Sequence, residues 1–111
     1  MKLIKFLIVN DAVRMGSADY HRHLLTPANK FSQIKGGGII EFEYNVNKKV
    51  IRFDGGSAEF GTFKKCDLKV ALTNTPNLNH ILNKLGSKLY YDDFDISNCK
   101  VFVRDEEITL T

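Results

Sequence analysis

His21, at the end of the run Ala18-Asp19-Tyr20-His21, is the side chain here best suited to accept a proton. An unperturbed imidazole, with a pKa of about 6.5, offers a neutral base near physiological pH. Gly36-Gly37-Gly38 follows, and then Ser57-Ala58-Glu59-Phe60-Gly61. A turn of small residues can aim backbone N–H groups at an anion such as phosphate. A base beside an anion-binding turn suits phosphoryl hydrolysis, which rests on positioning and electrostatic stabilisation. Each piece also has a plain structural reading. A lone histidine can be a satisfied core residue, a glycine run can be a permissive bend with positive φ, and residues 57–59 can simply connect strands after the Gly55-Gly56 turn.

Other chemistries find less support. The two histidines of His21-Arg22-His23 would share a face on a strand and suit a metal. A third ligand is missing, because His80 falls in a separate predicted helix and Cys66 and Cys99 lack ligand spacing. No metal and no cofactor is therefore expected. A Walker loop, a GxSxG elbow and a CxxxxxR signature are all absent from the sequence. The two distant cysteines, without a CxxC pair, read as reduced thiols of a cytoplasmic protein.

With 111 residues and 43% hydrophobic content, the chain is expected to form one domain spanning residues 1–111. Its 16 basic and 13 acidic residues leave a balance of +3, too small and too scattered for a nucleic-acid stripe. The apolar run Phe6–Val9 is interrupted upstream by Lys5 and ends in Asn10-Asp11, unlike a signal peptide, and nothing reaches the ~18 apolar residues of a membrane span. Neither nucleic acid nor membrane is an expected partner, and the chain is read as a monomer.

The elements that must position His21 follow from periodicity. Leu3–Val9 has the composition of a strand buried on both faces. Thr26-Pro27 predicts a short helix over Ala28–Ser32. Ile39–Tyr44 and Lys49–Phe53 flank two turn-forming asparagines and predict a hairpin. Cys66, Leu68, Val70 and Leu72 alternate as in a strand. Thr75-Pro76, then Leu78, Ile81, Leu82 and Leu85, and then Gly86 predict a helix with its C-terminal stop. Leu89–Tyr91 and Val101–Val103 complete the strands. The expected class is α+β, a mixed sheet flanked by two helices.

Over Ile4–Gly61, about half of the chain, this order of motifs resembles the Janus/Ocnus family, best known for protein histidine phosphatases. The likeness is carried by Lys5 in the opening strand, Arg14 ahead of the histidine once one residue is deleted, and Ala18-Asp19-Tyr20-His21. The glycine triplet and Ser57-Ala58-Glu59 before Phe60-Gly61 complete it. The resemblance implies a metal-independent phosphatase hydrolysing the P–N bond of phosphohistidine, or phospholysine, in proteins or peptides. His21 would be the general base, Ser57, Ala58 and Glu59 would hold the phosphate, and Lys5 and Arg14 would supply positive charge. The Glu59 side chain should turn away from the anion that its N–H attracts. Lys5 can also be read as a snorkelling side chain, and Arg14 as a solvated loop charge. Vertebrate members carry an arginine directly after the glycines, where this chain has Ile39, and their segment between histidine and glycines is longer. An alternative from another class is a noncatalytic phosphate- or phosphoprotein-binding regulatory module.

Overall fold

A computed structural model describes residues 4–28, 30–45, 48–90, 94 and 98–109. The predicted class holds: a mixed sheet of six strands and two α-helices. Strands β1 (Ile4–Val9), β2 (Ala12–Ser17), β3 (Ile34–Asn45), β4 (Lys48–Asp54), β5 (Lys100–Val103) and β6 (Glu106–Ile108) lie in the order β2-β1-β3-β4-β5-β6. Among the described residues only β4 and β5 pair in parallel, and α1 (Lys65–Asn74) and α2 (Leu78–Tyr90) lie in the chain between them.

Alternation along the strands separates the two faces of the sheet. Phe6 and Ile8 of β1, Ile40 and Phe42 of β3, and Ile51 and Phe53 of β4 form one core with Leu68, Ala71 and Leu72 of α1 and Leu82 of α2. Both helices therefore cover the same face. On the other face of β1 stand Lys5, Leu7 and Val9, and a one-turn 3₁₀ segment, His21–Leu24, packs there. Leu7 and Val9 are buried, so β1 is covered on both faces as its composition predicts.

The hairpin of β3 and β4 and the strand at Val101–Val103 form as expected. Other expectations are corrected. Residues 66–72 are helical: the buried set is Leu68, Ala71 and Leu72, at i, i+3 and i+4, while Cys66 and Val70 are exposed. Four alternating apolar residues satisfy a strand period, but burial follows the helical one. The helix predicted over Ala28–Ser32 reduces to a 3₁₀ turn at Phe31–Gln33, and Asn29 lies outside the described residues. Five residues cannot nucleate a stable helix, and Ile34 already belongs to β3. Leu89 ends in α2, not in a strand, and Tyr91 lies outside the described residues. The chain after β1 does not leave as a loop: Asn10, at φ 55°, turns it back into β2.

Gly86 is no helix stop either. It lies inside α2, where a Cβ would come 2.6 Å from Cδ2 of the fully buried Phe94. Alanine is favoured over glycine in a helix interior by roughly 1 kcal/mol, whereas overpacking a core costs about 1–3 kcal/mol. The clash should win. Gly86→Ala is expected to lower the urea midpoint, and a stabilised variant would show that Phe94 does not pack there.

Candidate functional site

On the sheet face opposite the helices, a cavity of about 350 Å³ is lined by Lys5, Asp19, Tyr20, His21, Arg22, Ser57, Ala58 and Glu59. Five of the six site residues named from sequence (Lys5, His21, Ser57, Ala58 and Glu59) thus meet around one opening. Arg14 is not among its lining residues. It sits in β2 opposite Leu7, with its guanidinium donating to the Leu24 carbonyl at 3.3 Å, so it braces the end of the 3₁₀ turn that begins with His21.

His21 is only 8% exposed, and its Nε2 lies 2.8 Å from the Gly38 carbonyl oxygen. A carbonyl only accepts, so in the neutral ring Nε2 carries the proton and Nδ1 the lone pair. Nδ1 has no hydrogen bond among the described residues, yet no buried side-chain nitrogen or oxygen there is without a partner. Nδ1 is therefore open to solvent. The glycines make this ring position possible. A Cβ on Gly37 would lie 2.5 Å from the Phe6 carbonyl oxygen and 3.2 Å from Cδ2 of His21. The triplet is not a bend but the start of β3, and only Gly36 has positive φ, at 116°.

Residues 57–61 form a tight turn closed on itself. Ser57 N–H donates to the Gly61 carbonyl at 3.1 Å, Gly61 N–H returns a bond to the Ser57 carbonyl at 2.8 Å, and Ser57 Oγ accepts the Phe60 N–H at 3.1 Å. The Gly61 carbonyl also accepts the Gly37 N–H at 3.3 Å, tying the turn to the strand that holds His21. From the β5–β6 turn, Arg104 donates to Thr62 Oγ1 at 2.8 Å and lies over the Phe63 ring. Ser57 N–H is therefore committed to the fold, while its hydroxyl proton and the N–H groups of Ala58 and Glu59 donate to nothing among the described residues. Three donors remain for a ligand.

Lys5 is half-buried, and its ammonium makes no ion pair among the described residues. It faces the same side as its neighbour across the β1–β3 ladder, Ile39. Sequence reasoning missed Arg22. Its Nη1 donates to Glu59 Oε1 at 3.1 Å, and its guanidinium lies 4.2 Å over the Tyr20 ring. Arg22 and Glu59 are 37 positions apart, so no local pattern signals their pairing. His23 turns to Tyr20 in an edge contact at 5.4 Å. No group of three or more metal-ligating side chains gathers among the described residues.

The tautomer can be read directly. A long-range ¹H–¹⁵N correlation spectrum of the neutral ring should show His21 protonated at Nε2 and unprotonated at Nδ1. Gly37→Ala should disturb that pattern, because the added methyl pushes against the ring. A proton on Nδ1 in the native chain would contradict the bond to Gly38. Models of protein families, curated proteins and solved structures were compared with the chain, and none matches.

Proposed function

We propose that this protein is a metal-independent phosphatase that hydrolyses the P–N bond of phosphohistidine in a protein or peptide, with His21 as general base. The observation that carries the reading is that His21, whose Nδ1 is open, lines the same cavity as Ser57, Ala58 and Glu59, which hold uncommitted donors. The resemblance to the Janus/Ocnus family supplies the substrate. The geometry of the cavity supports a division of labour. The Ser57 hydroxyl and the Ala58 and Glu59 N–H groups would hold phosphoryl oxygens, as charge-assisted hydrogen bonds of this kind are strong. Lys5 would offset the charge developing on them.

Water attacks phosphorus while its proton passes to Nδ1; the P–N electron pair leaves on the substrate imidazole, which is protonated from solvent, and His21 then returns its proton to solvent. Arg14 would support the 3₁₀ turn through the Leu24 carbonyl.

The test is release of inorganic phosphate from a phosphohistidine peptide. His21→Ala should reduce the rate by roughly 10² to 10⁴, as loss of a general base does, with the fold retained. Ser57→Ala should weaken both turnover and inhibition by inorganic phosphate, the lost bond being worth roughly 1.5–3 kcal/mol. Lys5→Ala should raise KM for the peptide, and chelators should have no effect on turnover. Unchanged hydrolysis by folded His21→Ala would overturn the assignment. Saturable phosphate binding without any release would leave the noncatalytic phosphate-binding module.

A further inference from the structure

The Arg22–Glu59 pair bridges the two segments that form the cavity, the 3₁₀ turn carrying His21 and the turn carrying the free N–H groups. We infer that Arg22 is a phosphoryl-binding residue whose guanidinium is occupied by the Glu59 carboxylate in the empty site and is transferred to the phosphoryl group when substrate enters. The inference rests on the proposed reading of this cavity as a phosphoryl site.

Three observations support the exchange. The pair is exposed, with side chains 53% and 39% accessible, and an ion pair in that setting contributes little to stability. Its loss is easily offset. The Arg22 guanidinium also lies over the Tyr20 ring at 4.2 Å, a contact that keeps it at the rim whether or not Glu59 is bound. A guanidinium matches phosphate as well as carboxylate in two-pronged geometry, and a dianion attracts it more strongly than a single carboxylate. Glu59 contributes opposing effects at one residue: its side chain competes for Arg22, while its backbone N–H is one of the three uncommitted donors.

The consequence is that removing a charge from Glu59 should improve anion binding. Neutralising Glu59 frees Arg22 and removes a negative charge from the rim, whereas a purely bracing carboxylate would leave affinity unchanged or make it worse. Glu59→Gln retains the size of the side chain and the backbone N–H, so the change tested is the charge alone.

Titration calorimetry with inorganic phosphate at fixed ionic strength tests this on the wild type, Glu59→Gln, Arg22→Ala, Arg22→Lys and the Glu59→Gln/Arg22→Ala double variant, each checked for its fold by circular dichroism. Arg22→Ala should weaken phosphate binding by about tenfold, the loss of one charge-assisted contact. Arg22→Lys should fall between the wild type and Arg22→Ala, because a lysine keeps the charge but not the fork. Glu59→Gln should tighten binding several-fold, and most of that gain should vanish in the double variant. Phosphate binding in the wild type that is unchanged or weakened by Glu59→Gln would overturn the exchange and leave the phosphoryl site standing. An equal gain with and without Arg22 would reduce Glu59 to simple repulsion and also overturn it. Absence of phosphate binding in every variant would overturn both the exchange and the site.

Discussion

The hydrogen bond from His21 Nε2 to the Gly38 carbonyl is the constraint on which the site depends. It fixes the tautomer, leaves Nδ1 as the free lone pair and couples the ring to β3. That bond needs a backbone without side chains beneath the ring, which is why the glycines sit in β3. Gly37 lets the imidazole lie against the sheet, and Gly36, at positive φ, lets the chain at Thr62 approach to a distance that a Cβ would close to 2.3 Å. One strand therefore meets both the His21 ring and the turn of residues 57–61, the latter through the Gly61 carbonyl bonded to Gly37.

The charges around the cavity shape what it can bind. Lys5 and Arg22 stand against Asp19 and Glu59, so the lining is not a strongly cationic funnel. An anion held here gains chiefly from donors at short range, the Ser57 hydroxyl and the two backbone N–H groups, rather than from long-range attraction, which salt screens within about 10 Å. Backbone donors also keep their direction without losing side-chain entropy. The rest of the fold serves that rigidity: Phe63, just past the turn, is packed against Phe6 with ring centroids 5.0 Å apart, and Arg104 clasps the same segment from the far edge of the sheet.

Much of this was legible in the sequence, and what was missed has physical causes. The largely apolar composition of β1, the asparagines between the two β-rich runs that become β3 and β4, and the 3.6-residue spacing of α2 each point to one structure only. Residues 65–74 do not: Leu68 and Leu72 fit either period, and Ala71, whose burial decides for the helix, carries almost no hydrophobic signal. Strand β2 is composed of Ala12, Val13, Arg14, Met15, Gly16 and Ser17, mostly weak strand formers, and is built by pairing with β1. At the cavity, His21 and residues 57–59 were named from sequence because of their residue types, and the fold brings them together. Arg22 and the supporting Arg104 were not, since a charged residue's partner is set by the tertiary fold, and the bond from Arg14 to the Leu24 carbonyl was illegible for the same reason.

The most direct test of the central claim, that an anion binds within reach of the His21 lone pair, is a crystal structure of the protein soaked in inorganic phosphate. The account predicts phosphate bound in the cavity, accepting hydrogen bonds from the Ser57 hydroxyl and from the Ala58 and Glu59 N–H groups, on the side of His21 that carries Nδ1. Phosphate bound away from His21, or Nδ1 turned to the Gly38 carbonyl in place of Nε2, would contradict it.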